Sequence, residues 1–288
     1  MSDIPVKNNL KTPVIPNWCP GCGNFGIWTA FKQAAEIEKW NNSNTVITAG
    51  IGCHGHIVNF IKVSSFEGLH GRALPVASGI KMANNRLNVF VFTGDGDSLS
   101  EGGNHFIHTA RRNHDLTVIF HDNAVYGLTT GQTSPRSPKG YVSKSTPFGS
   151  IEEPLHPLRM ALAAGATFLA RAYSGDIEGL TKLIIQANNH RGFSVIDILQ
   201  PCVTFNKEYT HYFYQKNIYE LGEEHDKTSK KAAFAKTLEW GLNQIPVGIF
   251  YQVEQPTYEE QIPQIERLPL VDQPLTKRDI GELLKSYQ

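Results

Sequence analysis

An α/β fold whose central, mostly parallel sheet is covered by helices on both faces is what this sequence predicts, and three observations predict it. Short apolar runs rich in β-branched and aromatic residues, Thr45-Val-Ile-Thr-Ala-Gly50, Leu87-Asn-Val-Phe-Val-Phe-Thr93 and Leu116-Thr-Val-Ile-Phe-His121, alternate with segments of helical periodicity. The runs are apolar almost throughout, as strands buried on two faces are. Each ends on glycine or on Asp122-Asn123, so the chain turns where the strand stops. In such sheets ligands bind at the carboxyl ends of the strands, which directs attention to the loops after Thr48, Thr93 and His121.

The elements follow in order. After Asn17-Trp-Cys-Pro-Gly-Cys-Gly-Asn24, the register Phe25, Trp28, Phe31, Ala35 and Glu38 predicts a helix to about Lys39. Helical patterns span Ala73 to Asn85 and Gly103 to Arg112 between the three strands, and a further pair follows, a helix from Ile177 to Ala187 and a strand from Phe193 to Leu199. Residues 129–158, rich in Pro, Ser, Thr and Gly, read as a long functional or interfacial loop. From about Phe205 the chain turns polar and tyrosine-rich with thin apolar content. We therefore expect one domain over 1–204, its core starting near residue 17, and an extension over 205–288 that packs on a partner.

Composition removes several classes of function. Lys+Arg and Asp+Glu are both 27 and no basic run stands out, so nucleic acid is not an expected partner. No apolar run is long enough to span a membrane, and the N-terminal residues lack the apolar stretch of a secretory signal. A cytoplasmic location is expected, where Cys19 and Cys22 would be metal-binding or catalytic rather than disulfide-bonded.

The strand ending at Thr93 empties into Gly94-Asp-Gly-Asp97, and the next into Asp122-Asn-Ala-Val-Tyr-Gly-Leu-Thr129. Glycines flanking Asp95 let the backbone approach a phosphate, while the Asp95 carboxylate and the Asn123 side-chain oxygen are hard ligands suited to Mg²⁺. Together they read as a diphosphate and Mg²⁺ site, with Gly103 to Arg112 offering a helix N-terminus to the anion. All four cysteines, Cys19, Cys22, Cys53 and Cys202, fall on loops or element ends. Four thiolates in such settings select zinc or an iron–sulfur cluster, and the spacings do not match a compact zinc finger.

The Asp95 and Asn123 loops resemble the thiamine diphosphate motif. With W-C-P-G-C-G, G-I-G-C, H-G-R, GDGD and D-N-x-x-Y-G-L-T-x-G-Q-x-S-P present in order, residues 17 to about 260 resemble the β subunits of 2-oxoacid:ferredoxin oxidoreductases. The resemblance implies Mg²⁺ held by Asp95, Asn123 and Val125. It implies thiamine diphosphate lined by Gly94, Gly96, Asp97, Gly127, Leu128 and Thr129 and by the loop Ile51-Gly52-Cys53-His54, and one [4Fe-4S] cluster on Cys19, Cys22, Cys53 and Cys202. The activity implied is CoA-dependent oxidative decarboxylation of a 2-oxoacid to acyl-CoA and CO₂, with electrons passed through the cluster to ferredoxin, reversible as reductive carboxylation. An α, or fused γα, subunit is the implied partner, since the chain holds only the diphosphate half of a thiamine site. The tyrosine-rich stretch from Tyr209 and the segment Tyr251 to Tyr258 are candidate contacts with it.

After the third cysteine this chain departs from the family pattern it resembles, with His54, Gly55 and His56 in place of serines and a lysine or arginine. A histidine there would titrate near neutrality or bind a substrate carboxylate; His70 and Arg72 are further candidates facing substrate or cofactor. With this loop, the resemblance implies 2-oxoglutarate ahead of pyruvate or a broad range of 2-oxoacids. The rivals are a non-oxidative thiamine-dependent decarboxylase or synthase, and a zinc-stapled, non-catalytic assembly or regulatory protein.

Overall fold

The computed structural model describes residues 10–274 and 280–287. Its strands are β1 (Thr45–Ala49), β2 (Ser64–Glu67), β3 (Asn88–Gly94), β4 (Leu116–Asp122), β5 (Val125–Tyr126), β6 (Gln132–Thr133), β7 (Phe168–Tyr173), β8 (Phe193–Leu199), β9 (Ile218–Glu220) and β10 (Ile245–Gln252). The helices that cover them are α1 (Asn24–Ile37), α2 (Ala73–Ala83), α3 (Gly103–Arg112), α4 (Pro157–Ala164), α5 (Ile177–Asn189), α6 (His211–Asn217) and α7 (Lys230–Leu238). β5 and β6 form a small ribbon, and the other eight strands form one sheet in the order β2-β1-β3-β4-β8-β7-β10-β9, parallel except where β10 runs against β7. Among the described residues no helix is long and apolar enough to cross a membrane.

Successive residues of each central strand feed opposite layers. Phe90 and Phe92, with Ile47, Ile119 and Ile196, pack under α1 and α5, whereas Val89 and Val91, with Val118, Phe120 and Val195, pack under α2, α3, α4 and α7. This is why the runs read as continuously apolar. Burying each such Phe or Ile side chain is worth roughly 1.5–3 kcal/mol. On α1 the buried positions Ile27, Ala30, Phe31 and Ala34 recur at helical spacing and meet the sheet, where Phe31 packs edge to face on Phe90 and Phe92 and Trp40 lies tilted against Phe31 and Phe90.

The last third of the chain differs from the expected extension. β10 enters the main sheet beside β7, β9 pairs with β10, and Ala233, Ile245 and Phe250 are fully buried. Tyr214 and Tyr251 are buried inside the chain as well, so of the aromatics expected on a partner it is Tyr212 that is exposed, at 72%. Thin apolar content was the wrong measure, because β10 carries its apolar residues on an edge region interrupted by Pro246 and Gly248. The long loop is also partly built: β6 lies inside it, and Ser134, Arg136 and Ser137 are buried while Phe148 stands fully exposed.

Candidate active site

β1, β3 and β4 lie side by side and parallel, so the loops after Ala49, Gly94 and Asp122 rise from one sheet edge and enclose a pocket. Every residue expected at the cofactor and its metal lines that pocket: Ile51, Gly52, Cys53 and His54, then Gly94, Asp95, Gly96 and Asp97, then Asn123, Val125, Gly127, Leu128 and Thr129. Gly96 admits no side chain, for a Cβ there would stand 2.2 Å from Tyr126 Cε1. A wound segment, Asp97–Glu101, intervenes before α3, and neither Gly102 nor Gly103 reaches the pocket wall. The backbone at the pocket wall therefore belongs to Gly94–Asp97, not to α3 as the sequence suggests.

Asp95 is buried, and its Oδ2 accepts a hydrogen bond from the Ser134 hydroxyl. Burial, with the neighbouring Asp122 carboxylate adding to it, pushes its pKa up to about 8. A buried carboxyl group in the field of another carboxylate is the situation a divalent cation relieves. Asn123 Oδ1 accepts from the Val125 amide at 3.0 Å, closing a turn in which Ala124 is left-handed at φ 56°. That conformation costs a non-glycine residue about 1–2 kcal/mol, and it returns Val125 to the pocket wall beside Asn123.

The remaining candidates divide sharply. Asp97 lines the pocket, yet its carboxylate faces the protein: Oδ1 accepts from the amides of Ile51 at 3.1 Å and Gly71 at 2.7 Å and lies 2.7 Å from His70 Nδ1, and Oδ2 accepts from Thr93 Oγ1 at 2.8 Å. It braces three loops. His70 Nδ1 donates to that carboxylate, which leaves Nε2 as the free nitrogen at the pocket wall. His54 is wedged between two glycines, whose Cβ atoms would come within 2.8 Å of the ring at Gly52 and 2.9 Å at Gly94. Burial lowers its pKa to about 4, so the expectation of titration near neutrality fails for His54. Arg72 donates to the Glu101 carbonyl at 3.0 Å and is absent from the pocket wall. His56, 3.2 Å from Asn17 Oδ1, lines a second cavity instead.

That second cavity, of about 300 Å³, holds all four cysteines on its wall. Cys19 and Cys22 face it across a turn closed by Cys22 N–H to Cys19 O at 2.9 Å, with Gly21 left-handed at φ 82°. Cys53 is fixed by Trp18, whose indole donates to its carbonyl at 2.6 Å, and Cys202 follows β8. A Cβ placed on Gly127 would stand 3.7 Å from the Sγ of both Cys53 and Cys202. Burial, with the neighbouring thiols adding to it, pushes the Cys22 and Cys53 thiols up to about 11. Cys53, Asn123, Gly127 and Leu128 line both cavities and form the wall between them.

Sequence reasoning missed the layer beneath. Arg136 Nε donates to Asp122 Oδ2 at 2.7 Å with both groups buried, and this pair sits under Asp95 and Ser134. Ser134 and Arg136 stand in and next to the G-Q-x-S-P stretch, but only folding reveals what they face. Replacing Arg136 by Met should destabilise the chain by about 3–5 kcal/mol, because it strands the buried Asp122 charge, and a urea titration reads it. His156 Nδ1 lies 3.2 Å from Arg136 Nη1, and burial, with Arg136, Arg159 and Arg171 adding to it, lowers its pKa to about 3. As pH falls through 6.5 the unfolded chain protonates His156 while the folded chain does not until about 3, so stability is lost across that window. H156Q should show a flatter fall in urea midpoint between about pH 7 and pH 5 than the natural chain.

Fold and site together define a thiamine diphosphate-binding enzyme domain: residues 21–198 match the family model for the thiamine pyrophosphate enzyme C-terminal TPP-binding domain, and residues 202–267 match the model for the C terminus of the pyruvate ferredoxin oxidoreductase β polypeptide. The chain is 45% identical to a 2-oxoacid:ferredoxin oxidoreductase subunit β of Saccharolobus solfataricus, over 88% of this chain and 87% of the relative. It is 42% identical to subunit β of 2-oxoacid:ferredoxin oxidoreductase 1 of Aeropyrum pernix, over 92% and 87%. Its structure superposes, with a TM-score of 0.88 and 35% identity over 97% of this chain and 94% of the other, on a chain of the 2-oxoglutarate:ferredoxin oxidoreductase from Magnetococcus marinus with 2-oxoglutarate, coenzyme A and succinyl-CoA bound. The chain belongs to the β subunits of the 2-oxoacid:ferredoxin oxidoreductases.

Proposed function

We propose that Asp95, Asn123 and Val125 hold Mg²⁺ against the diphosphate of thiamine diphosphate and that Cys19, Cys22, Cys53 and Cys202 hold one [4Fe-4S] cluster. With its α subunit, the chain would then oxidise a 2-oxoacid with coenzyme A, and ferredoxin would take the electrons. What supports this most is the wall the two cavities share, which would set the carbon chemistry and the one-electron carrier back to back. When bound, thiamine diphosphate supplies the electron sink for decarboxylation and the cluster supplies one-electron transfer.

The chain's own residues have distinct tasks. Asp95 contributes the negative charge that the cation needs, and Ser134 aims it. Asp97 holds the loops at 50, 70 and 94 in register, so the pocket is shaped before the cofactor arrives. His54 stays neutral and fills the floor, which excludes water and adds no charge. Leu69, Leu128 and Phe148 leave apolar surface exposed, Leu128 on the pocket wall and Leu69 next in the chain to His70, which lines it; an α subunit that completes the site would cover these two.

The four thiols suit a cluster rather than zinc. A single Zn²⁺ draws its thiolates to about 2.3 Å. The four thiols ring a cavity of about 300 Å³, room for more than one ion. His56 faces this cavity and not the cofactor pocket, so 2-oxoglutarate is favoured by the likeness to the Magnetococcus marinus enzyme, which holds that acid, and not by His56. The test is the αβ complex, purified without oxygen and assayed with coenzyme A, a low-potential acceptor and a panel of 2-oxoacids. A brown protein with about four irons per chain, fastest with 2-oxoglutarate, is the expected result. Inactivity with every acid would overturn the reading.

A further inference from the structure

Between Cys22 and the last strand of the parallel core lies a side chain that is neither a ligand nor part of the cofactor pocket. Gln200, 2% exposed at the end of β8, points its amide at the sulfur cavity and donates from Nε2 to Cys22 Sγ at 3.4 Å. Its place is fixed from both directions. The Gln200 backbone N–H donates to the Asp122 carbonyl at 2.9 Å, and Gly23 N–H donates to the Pro201 carbonyl at 3.2 Å, which ties the start of α1 to the β8 loop. Gly23 is bare where Gln200 needs room, because a Cβ there would stand 2.7 Å from Gln200 Cγ. His121, buried with its Nδ1 at 2.8 Å from Asn24 Oδ1, is a further neighbour of Gln200. A side chain packed this tightly cannot swing away from the sulfur.

We propose that Gln200 is a tuning residue for the iron–sulfur cluster: its Nε2–H, held against Cys22 Sγ, raises the cluster's reduction potential. The inference rests on the four cysteines holding a cluster, as proposed for this site. A hydrogen bond to a ligand sulfur favours the form with more negative charge on the sulfurs, which is the reduced cluster, and such bonds are among the protein's means of setting potential. The equilibrium between oxidised and reduced cluster shifts by the difference in the bond's strength between the two forms, about 1 kcal/mol as the acceptor gains charge, which is about fivefold. Gln200 acts on the ligand and touches no substrate. It sets how readily electrons enter the cluster from the cofactor pocket and leave it for the acceptor.

The experiment is an EPR-monitored redox titration of the αβ complex carrying the natural chain or Q200M, which keeps the length of the side chain and removes the donor. Q200M should hold its full iron content and become reduced only at a more negative potential, by about fivefold in the oxidised-to-reduced ratio at any fixed potential. An unchanged midpoint with a full cluster would overturn the proposal. A second measurement uses the natural complex alone: with ¹⁵N placed in glutamine side chains, pulsed EPR of the reduced cluster should detect a coupled nitrogen, and its absence would equally overturn it. A natural complex that contains no cluster at all would instead sink the cluster assignment itself, which the iron analysis reports first.

Discussion

Changing Asp95 to asparagine is expected to weaken thiamine diphosphate binding to the αβ complex by at least about 100-fold, the upper end of what losing even an outer-shell partner costs a metal site. Activity should fall with it, while the chain stays folded. The asymmetry comes from the carboxyl group's two states. Without a cation, burial and the Asp122 carboxylate push Asp95 up to about 8, so at neutral pH the group is mostly a neutral acid and a neutral amide replaces it at little cost. The Asn side-chain oxygen can still accept from Ser134. With Mg²⁺ and diphosphate present the requirement reverses, because the cation needs a negative oxygen ligand that an amide does not supply. Calorimetric titration of thiamine diphosphate at saturating Mg²⁺ measures the loss, and a thermal melt of the cofactor-free protein measures the fold. Unchanged affinity would remove Asp95 from the metal site, and a collapsed melt would make it a structural residue instead.

What the sequence reveals depends on how local the cause is. β1, β3, β4 and β8 are readable because burial on two faces leaves an apolar run, and α3 is readable to its ends, Gly103 and Arg112. β7 is not, because Arg171 interrupts Phe168-Leu-Ala-Arg-Ala-Tyr173 and its reason lies on another strand. It faces Asp197 in register on β8, with Nε 2.9 Å from Oδ2 and both groups buried. α4 escapes because Pro157 looks like loop, although proline at the first turn of a helix is favourable.

The site follows the same rule. Gly94, Asp95, Gly96 and Asn123 are legible because the phosphate and hard cation proposed for them would dictate residue types within one turn. The role of Asp97 is not legible, since the amides it binds, on Ile51 and Gly71, reach it only through the packing of three loops. His54 misleads for a related reason: a histidine beside a cofactor invites a titrating role, and only its wedge between Gly52 and Gly94 reveals that burial keeps it neutral. Arg136 and Gln200 belong with Asp97. Each acts through a partner distant in sequence, Asp122 for the one and Cys22 for the other.

Cys202 carries the second large effect, because it separates the two cofactors. C202S should lose the visible absorption and iron of the cluster, and electron transfer to ferredoxin should fall on the order of 100-fold or more. Thiamine diphosphate should still bind within about twofold, too small a change to register as the loss of a contact. Cys202 lines only the sulfur cavity, whereas Cys53 lines both, so C53S would blur the two outcomes. A serine oxygen is a hard ligand on a shorter bond and does not replace a thiolate selected for soft iron chemistry. The loop itself should survive, since it is held by the Cys202 carbonyl, which accepts from Asn206 N–H at 3.0 Å, and not by the thiol. Circular dichroism and thiamine diphosphate affinity establish the fold, and iron analysis reports the cluster. A full complement of iron with an unaltered spectrum would remove Cys202 from the ligand set, and loss of thiamine diphosphate together with iron would mean that the two cavities are not independently loaded.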